Sequence, residues 1–340
     1  MNWKIAVVGA TGNVGREMLN VLAERLAGAE VAALASRKSM GVEVSFGERT
    51  LRCQDLAQYD FRGTDIVLMS AGGVVSKEWS PKIARAGAVV IDNSSAWRMD
   101  PAVPLVVPEV NGATLARYAK KNIVANPNCS TIHRVVALKC LHDEAAITRI
   151  VTSTYQSVSG AGKDAMDELF RQSRAIFVGD PVERQKFPKQ IAFNVIPQVD
   201  AFLDDGSTKE EEKQATETRK ILGPDIKVSA TCVRVPVFRG HGEACTVEFE
   251  RPLSAQRAKV LLRNAPGVML VDRHEDGGYI TPLETAGDDE VYVGRVRNDP
   301  TVANGLSLWI ASDNLRKGAA LNAVQIAEAL IAEHLKKRIA

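Results

Sequence analysis

Three glycines, Gly9, Gly12 and Gly15, stand between the apolar run KIAVV and the helix-like pattern NVGREMLNVLAERL. Glycine permits the tight turn that follows a strand, and it lets backbone amides approach a bound pyrophosphate closely. The helix that follows adds unpaired N–H groups and a positive potential at its first turn. The segment therefore predicts a strand, a phosphate-binding turn and a helix in succession. A plain strand-to-helix turn is the alternative interpretation.

Short apolar runs alternate with helix-like patterns from Lys4 to about Ile132. The apolar runs are KIAVVG, EVAALAS, DIVLMSAG, AVVIDNS, LVVPEV and NIVAN. Such alternation predicts a parallel sheet with helices on both faces. A glycine-rich turn after the first strand of such a sheet is typical of a Rossmann-type dinucleotide-binding domain.

From about Ile147 the apolar runs are longer and alternate more clearly with polar residues. They are TRIVTSTYQSVSG, KVSATCVRVPVF, EACTVEFE, VMLVDR, VYVGRVRN and LSLWIASDN. This pattern predicts a mostly antiparallel sheet that is covered on one face by helices. The polar stretch from about residue 171 to 220 is interpreted as a solvated loop and helix face.

The end of the second predicted strand bears on which dinucleotide the glycine turn holds. Dehydrogenases that prefer NAD usually carry an acidic residue there for the ribose 2′-hydroxyl, but this strand runs into LASRKSMG. Ser36, Arg37, Lys38 and Ser39 supply hydroxyls and cations that suit a 2′-phosphate. The sequence predicts NADP. The alternative is that Arg37 and Lys38 are ordinary surface charges.

The length of 340 residues exceeds the usual single core of about 100 to 200 residues, so two domains are expected. We predict a Rossmann-type NADP-binding domain of residues 1–128 and 317–340, to which the last helix returns. Residues 129–316 are predicted to form an α/β catalytic and dimerisation domain. The open face of its sheet is expected to meet a second subunit, giving a homodimer or homotetramer.

Composition excludes several classes of protein. The 43 basic and 41 acidic residues leave no basic footprint for nucleic acid. Five cysteines without CxxC spacing argue against a disulfide framework or a zinc ribbon and fit a reducing cytoplasm, and no metal site is expected. The start of the chain lacks signal-peptide features, and no apolar run reaches about 18 residues, so neither export nor membrane insertion is predicted.

One cysteine stands in a setting that suits a nucleophile. Cys129 lies in NPNCS, directly before the apolar-periodic run Thr131 to Leu141. If a helix begins near Ser130, its unpaired amides and dipole stabilise a thiolate at residue 129. A buried thiol is the alternative interpretation. The other four cysteines, at 53, 140, 232 and 245, lie in apolar or strand-like runs and are predicted to be small core residues.

A thiolate needs a partner that handles protons, and His241 is the best candidate among the five histidines. It stands between two glycines in VRVPVFRGHGEA, where we expect it to end a long strand, project into a cleft and titrate near neutrality. A hairpin-turn histidine is the alternative. His133, one turn into the helix after Cys129, is expected on or near the helix surface.

Five segments together resemble the aspartate-semialdehyde dehydrogenase family, in its NADP-dependent bacterial type. They are GATGNVG near the start, VPLVVPEVN at 103–111, NPNCST at 126–131, TYQSVSGAG at 154–162 and CVRVPVFRGH at 232–241. The matched segments occur in the right order through nearly the whole chain. Five such matches are far more specific than any one alone.

The resemblance implies a role for each matching residue. Cys129 would be the nucleophile, His241 the acid and base, and Gln156 the residue that orients the acyl intermediate. Arg234, expected on the same strand as His241, would pair with the substrate carboxylate, and Glu210 would hold the substrate amine. Phosphate would be held by Arg98, Asn128 and Lys213. The implied NADP contacts are Gly9, Thr11, Gly12, Asn13, Val14, Gly15, Ser36, Arg37, Lys38, Ser39, Ser159, Gly160 and Gln325.

This inventory suits a substrate with a carboxylate, an ammonium and a phosphorylated carboxyl group. The resemblance implies NADPH-dependent reduction of L-4-aspartyl phosphate to L-aspartate 4-semialdehyde and phosphate through a Cys129 thioester, on the route to lysine, threonine and methionine. The alternatives are an N-acetylglutamyl-phosphate reductase, a non-catalytic NADP-binding paralogue, and a redox-sensing scaffold whose Cys129 is modified reversibly.

Overall fold

The structure is a computed structural model that describes residues 3–335, so residues 1, 2 and 336–340 of the predicted first domain lie outside it. The chain divides into two compact units. The first comprises residues 1–128 and 319–340, and the second comprises residues 129–318. Within residues 3–335, no helix combines the length and the apolar character that crossing a bilayer requires.

The first unit is built on a parallel sheet. Its strands are β1 (Lys4–Val8), β2 (Glu30–Ala35), a separate hairpin of β3 (Glu43–Phe46) and β4 (Arg49–Arg52), then β5 (Gln54–Asp55), β6 (Ile66–Met69), β7 (Val89–Asp92) and β8 (Ile123–Ala125). The six-stranded sheet has the order β5-β2-β1-β6-β7-β8, and every pairing in it is parallel. That order reverses beside β1, which is the Rossmann arrangement and confirms the predicted fold class.

Helices cover this sheet. They are α1 (Asn13–Arg25), α2 (Gly73–Arg85), the short α3 (Pro108–Asn111) and a 3₁₀ helix at Gly112–Lys120. Helix α1 buries Met18, Leu19 and Leu22 at helical spacing in a core shared with β1 and β6. The run LVVPEV does not form the predicted strand. Leu105 makes only an isolated bridge to Ala125, because Pro108 cannot donate to a ladder and instead begins α3.

The second unit contains a mixed sheet of six longer strands. In chain order its elements are α4 (Cys129–Ala145), β9 (Ile147–Gln156), α5 (Lys163–Val178), α6 (Lys209–Ile221), β10 (Lys227–Arg234), β11 (His241–Phe249), α7 (Ala255–Arg263), β12 (Val268–Leu270), β13 (Val291–Asn298) and β14 (Gly305–Ser312). The sheet order is β10-β9-β11-β14-β13-β12. The three central pairings are antiparallel and the two outer ones are parallel, so the prediction of a mostly antiparallel sheet is confirmed.

Helix α4 packs against one face of this sheet and is buried around most of its circumference. The opposite face is open, since Val151, Ser153 and Tyr155 of β9 alternate with buried neighbours. Residues 179–208 form a long loop between α5 and α6. Side chains of α5 bind its backbone, as where Glu168 accepts from the amide of Gln185 at 3.0 Å.

The chain then returns to the first unit. A π-helical segment, Arg316–Leu321, leads into α8 (Asn322–Ala329) and a final π-helical turn, Leu330–His334. Val324 and Ile326 of α8 are fully buried in the same core as α1. Asn322 also donates to the Asn126 side chain at 2.6 Å, which ties α8 to the loop after β8.

Candidate active site

Three predicted site residues meet at one edge of the second sheet. Strand β9 ends at Gln156, and its parallel neighbour β10 ends beside it at Arg234. Strand β11 runs in the opposite direction and therefore starts at this edge, with His241 as its first residue. The expectation that Arg234 and His241 share a strand is wrong. Pro236 cannot continue the ladder, so β10 ends and the chain turns back into β11.

Cys129 is the first residue of the 17-residue helix α4, as the sequence predicts, and it is half-buried. Burial lowers the pKa of Arg234, whereas the charges of Glu210, then Cys129 and then Cys232 act on it in the opposite direction. A Cβ atom on Gly160 would lie 3.2 Å from Arg234 Nη1 and 3.4 Å from His241 Nε2. The structure therefore gathers Cys129, Arg234, His241 and Gly160 around one space.

The His241 ring has a defined tautomer. Its Nδ1 accepts a hydrogen bond from the backbone N–H of Ser157 at 3.1 Å, and Ser157 Oγ lies 3.0 Å from the same nitrogen. A backbone N–H can only donate, so Nδ1 is unprotonated and Nε2 carries the hydrogen of the neutral ring. Nε2 has no hydrogen-bond partner within the described residues. His241 consequently presents an N–H donor to the site.

Burial lowers the pKa of His241 well below its ordinary value, and the neighbouring side chains of His133 and Arg234 lower it further. The ring is fully buried and neutral at neutral pH. The expectation that His241 titrates near neutrality is therefore wrong for this structure, because the strand start lies inside the unit and not at an open cleft.

Asn314 binds the residues that orient His241, and the sequence analysis did not predict it. Its Oδ1 accepts from the Gly240 N–H at 2.9 Å and from the hydroxyls of Ser157 and Ser159 at 3.1 and 3.2 Å. Its Nδ2 donates to Ser159 Oγ at 2.9 Å. The side chain of Ser159, predicted to contact the cofactor, therefore belongs to the support of His241. Asn314 follows β14, and no local motif distinguishes it from an ordinary loop asparagine.

A second group of charges lies on α6. Lys213 Nζ is 3.2 Å from Glu210 Oε2, so the two residues share a helix face as their spacing predicts. Gln156 Nε2 donates to Glu210 Oε1 at 3.1 Å, which links this group to the sheet edge. Burial opposes the charge of Lys213, but Glu210 and Asp200 together raise the pKa of its ammonium group. Asp200, 2.8 Å from Lys213 Nζ, was not predicted.

The glycine turn of the first unit fits a dinucleotide phosphate. Gly9 has a φ of +82°, and a Cβ there would lie 2.4 Å from the Ser70 carbonyl oxygen. A Cβ on Gly15 would lie 2.2 Å from the Gly9 carbonyl oxygen, so only glycine lets α1 pack this close to the turn. Gly12 is the N-cap of α1 and has no side chain to cap the first amides. Thr11, Asn13 and Val14 flank this helix start.

The SRKS segment, Arg98 and Asn128 follow strands of the first sheet at their carboxyl ends, whereas the third predicted phosphate ligand, Lys213, lies on α6 of the second unit. Ser36, Arg37 and Lys38 are exposed just after β2, and Ser39 is half-buried. Arg98 is nearly buried, and it donates from Nε to the Asn126 carbonyl at 2.9 Å and from Nη2 to the Asn93 carbonyl at 2.8 Å. These contacts hold the Arg98 guanidinium against the backbone of Asn126, which is two residues before Asn128 in the chain. Gln325 is half-buried, and its Nε2 donates to Glu109 Oε1 at 2.9 Å.

Comparison with known proteins assigns the chain to a family. Residues 4–118 match the family model described as semialdehyde dehydrogenase, NAD binding domain, and residues 138–317 match its dimerisation domain. The chain is 52% identical over 339 residues to an aspartate-semialdehyde dehydrogenase of Aquifex aeolicus, covering 98% of this chain and 100% of that one. This chain belongs to the aspartate-semialdehyde dehydrogenase family. The resemblance drawn from its motifs is confirmed, and the protein is an oxidoreductase.

Solved structures of the family agree with this assignment. Aspartate semialdehyde dehydrogenase II of Vibrio cholerae is similar with a TM-score of 0.96 and 48% identity, covering 98% of this chain and all of that one. A second structure of that protein, at 47% identity and TM-score 0.96, is a complex with ASA. A Candida albicans member solved with NADP is similar at TM-score 0.76 and 26% identity, over 98% of this chain and 99% of that one. The family assignment makes residues 4–118 a nicotinamide-cofactor-binding domain.

One further residue of this family member lies where the sequence analysis did not expect it. His133 is 1% exposed and not on the helix surface, because α4 is covered on nearly all sides. Its ring centroid is 6.3 Å from that of His241, at an interplanar angle of 73°. The second unit therefore places two imidazoles near Cys129.

Proposed function

We propose that this enzyme catalyses the NADPH-dependent reduction of L-4-aspartyl phosphate to L-aspartate 4-semialdehyde and phosphate, and the reverse oxidation. The observation that carries the proposal is the half-buried thiol of Cys129 at the start of α4, beside Arg234 and the donor nitrogen of His241. The Vibrio cholerae structure described as a complex with ASA supports the same substrate.

The proposed substrate contacts follow from the charges at the sheet edge. Arg234 is 6% exposed, and Nη1 donates to the Ser157 carbonyl at 2.7 Å, so its guanidinium is held in place to bind a carboxylate. Glu210 supplies a carboxylate for the substrate ammonium. The Gln156 amide, which already bonds Glu210, would lie between these two groups and orient the acyl carbon. The proposed binding of the carboxylate by Arg234 and of the ammonium by Glu210 matches the two charged groups of an aspartyl substrate.

We assign the phosphate to Arg98, Asn128 and Lys213. A phosphoryl group needs cations whose charge is maintained at neutral pH. Arginine fulfils this because of its intrinsic basicity, and Glu210 and Asp200 raise the pKa of Lys213. Loss of phosphate from the acyl carbon leaves an anion that these groups stabilise.

In the proposed mechanism, the thiolate of Cys129 attacks the acyl carbon, the bond to phosphate breaks, and a thioester remains on the sulfur. When bound, NADPH supplies the hydride that reduces this thioester. His241 would donate its Nε2 hydrogen bond to the carbonyl oxygen and stabilise the negative charge that develops there as the hemithioacetal forms; this charge re-forms the C=O bond in the next step. Cleavage of the C–S bond releases the semialdehyde and restores the thiolate.

The cofactor is proposed to be NADP, held on the first unit. The turn from Gly9 to Gly15 and the amides at the start of α1 fit its pyrophosphate. Arg37 and Lys38, exposed after β2, would bind the 2′-phosphate. The Candida albicans relative solved with NADP supports this preference.

The domains, assembly and setting complete the proposal. Residues 1–128 with 317–340 would form the NADP-binding domain, and residues 129–316 the catalytic domain. The family's dimerisation domain model, matched by residues 138–317, supports a homodimer or a dimer of dimers formed through the open sheet face. The enzyme would act in the cytoplasm, in the synthesis of lysine, threonine and methionine.

The test is an assay of NADP reduction with aspartate semialdehyde, with and without phosphate. We expect reduction that depends on phosphate and is much faster with NADP than with NAD. Cys129→Ala should abolish hydride transfer and keep NADP affinity, and His241→Asn should slow turnover strongly while the thiol stays reactive. Turnover by Cys129→Ala would contradict the thioester route. Preference for N-acetylglutamate semialdehyde over aspartate semialdehyde would instead favour the related reductase.

A further inference from the structure

Asp92 is a buried carboxylate to which the mechanism above gives no role. It is the last residue of β7 and is 0% exposed. Its Oδ2 accepts from Ser76 Oγ at 2.6 Å and from Ser94 Oγ at 2.9 Å, and its Oδ1 accepts from the Ser94 backbone N–H at 2.9 Å. The ionised carboxylate only accepts hydrogen bonds and therefore suits all three donors. Burying such a charge is costly, so its contacts point to a specific task.

The turn that follows β7 is organised around this carboxylate. Ser94 donates to it from both its backbone and its hydroxyl, and Ser94 Oγ also accepts from the Ala96 N–H at 3.2 Å. Trp97 Nε1 donates at 2.9 Å to Ser76 Oγ, the hydroxyl that itself donates to Asp92. The turn is thereby held to the end of β7 and to α2, which carries Ser76.

Arg98 is the next residue of this turn, and its position depends on the same contacts. Its Nη2 donates at 2.8 Å to the carbonyl of Asn93, which lies between Asp92 and Ser94 in the chain. A turn that opens at Asp92 displaces this acceptor and with it one of the groups that hold the guanidinium. Burial raises the pKa of Asp92, whereas the hydrogen bonds from Ser76 and Ser94 and then the charge of Arg98 act in the opposite direction. The carboxylate and the guanidinium are therefore linked through the backbone and through their charges.

We propose that Asp92 is a positioning residue for phosphate, which holds the turn of residues 93–98 so that the Arg98 guanidinium is oriented to bind the anion. The inference rests on the proposed function for the assignment of Arg98 to phosphate. Asp92 acts through Arg98 and does not itself touch the anion. A purely structural role would change the stability of the first unit without a selective change in phosphate affinity.

Two substitutions remove different parts of this support. Asp92→Asn keeps the volume and an oxygen for the Ser94 N–H, but it removes the charge and turns an NH₂ group toward two donating hydroxyls. Asp92→Ala leaves all three donors without this acceptor. In either variant the turn loosens, and Arg98 loses the fixed orientation on which two-pronged binding of an oxyanion depends.

The experiment measures phosphate affinity in the full-length protein with NADP present. Equilibrium dialysis with radiolabelled inorganic phosphate gives the Kd, and NADP reduction with aspartate semialdehyde at varied phosphate gives the KM. Asp65→Asn is the matched control, since Asp65 Oδ2 accepts from the Lys4 backbone N–H at 2.9 Å but lies at the amino end of β6. Circular dichroism checks folding, and Asp92→Asn carries the test if Asp92→Ala does not fold.

A further pair of variants tests whether Asp92 acts through Arg98. Arg98→Lys keeps a cation, so phosphate binding stays measurable, but an ammonium cannot reproduce the forked contacts of the guanidinium. Asp92→Asn is then introduced into the unchanged protein and into Arg98→Lys. If the effect passes through the guanidinium, the two losses should not add.

We expect the Kd and KM for phosphate to rise at least about threefold in Asp92→Asn and about tenfold in Asp92→Ala. The KM for aspartate semialdehyde and the affinity for NADP should stay within about twofold, and Asp65→Asn should change none of these values. In the Arg98→Lys background, Asp92→Asn should add less than about twofold.

Three results would overturn the inference. They are an unchanged phosphate affinity in folded Asp92→Asn, a full further loss in the Arg98→Lys background, and an equal loss of affinity for phosphate, semialdehyde and NADP. An unchanged protein that binds phosphate but does not oxidise aspartate semialdehyde would instead refute the proposed function. The dialysis measurements would still decide the role of Asp92 in that case.

Discussion

Removing the buried ion pair of Arg134 should destabilise the enzyme and disturb its site together. Arg134 Nη1 lies 3.0 Å from Glu243 Oε2, and Nη2 donates to Thr218 Oγ1 at 2.9 Å and to the Gln214 carbonyl at 3.2 Å. The side chains of the pair are 0% and 1% exposed. The guanidinium thus links α4, which carries Cys129, to β11, which carries His241, and to α6.

The expected magnitude follows from the burial of both charges. Removing one member of such a pair leaves the other uncompensated and costs about 3–5 kcal/mol, whereas replacing both by apolar residues is often neutral or stabilising by about 1–4 kcal/mol. Burial raises the pKa of Glu243, so the carboxyl of an Arg134→Met variant can relieve part of the cost by taking up a proton. We therefore expect about 3 kcal/mol for Arg134→Met, near the lower limit of that range.

The assay is urea unfolding, followed by tryptophan fluorescence, of Arg134→Met, Glu243→Leu and the double variant. The single variants should each lose several kcal/mol, and the double variant should recover most of the loss. Turnover should fall in the single variants, because the helix of the nucleophile is no longer held to the strand of His241. Losses below about 1 kcal/mol in both single variants, or strictly additive losses, would refute this reasoning.

Three further predictions follow from the site. His133 is buried with a lowered pKa, so the unfolded chain binds a proton that the folded chain does not. The contribution of the neutral ring to the free energy of unfolding is therefore fully present above about pH 6.5 and is lost toward pH 3, by roughly 1.4 kcal/mol per pH unit. Urea unfolding at pH 7.5 and pH 5 should show a smaller loss of stability on acidification for His133→Gln than for the unchanged protein. Asn314→Ala should lower kcat about tenfold or more with little change in KM, since the support of the catalytic ring is lost, and steady-state kinetics would show this. Replacing Arg37 and Lys38 by Ala should raise the KM for NADPH about tenfold or more and leave that for NADH unchanged; equal effects on both cofactors would argue against the 2′-phosphate contact.

The sequence could predict those features that depend on local pattern. The alternation of short apolar runs specifies the parallel sheet, and the glycine spacing is needed because a side chain at Gly9 or Gly15 would overlap the neighbouring backbone. The position of Cys129 at a helix start also follows from local signals, because Asn-Pro-Asn cannot continue a strand into the apolar-periodic run. Pattern failed where a proline mattered, since Pro108 and Pro236 each end a run that reads as one strand.

Burial of polar side chains could not be predicted in this way, because it depends on packing between distant segments. His133 looks like a surface histidine on a helix with mixed composition, yet α4 is surrounded by the sheet and by α6 and α7. Asn314 acquires its role only because β14 lies beside β11, which brings residues separated by more than 150 positions together. Neither arrangement has a sequence signal of its own.

The tautomers of the two imidazoles depend on the backbone groups they meet, and not on the residue type. His241, at a strand start, faces the N–H of Ser157, which forces its hydrogen outward, whereas His133, inside a helix, faces the carbonyl of Asp313, which forces its lone pair outward. Both outward nitrogens point away from these anchors without any other partner in the described part of the chain. The two rings lie at a centroid distance of 6.3 Å and present opposite hydrogen-bonding groups. If His241 acts as proposed, its rate contribution should depend on the Ser157 contact that orients the ring as strongly as on the imidazole itself.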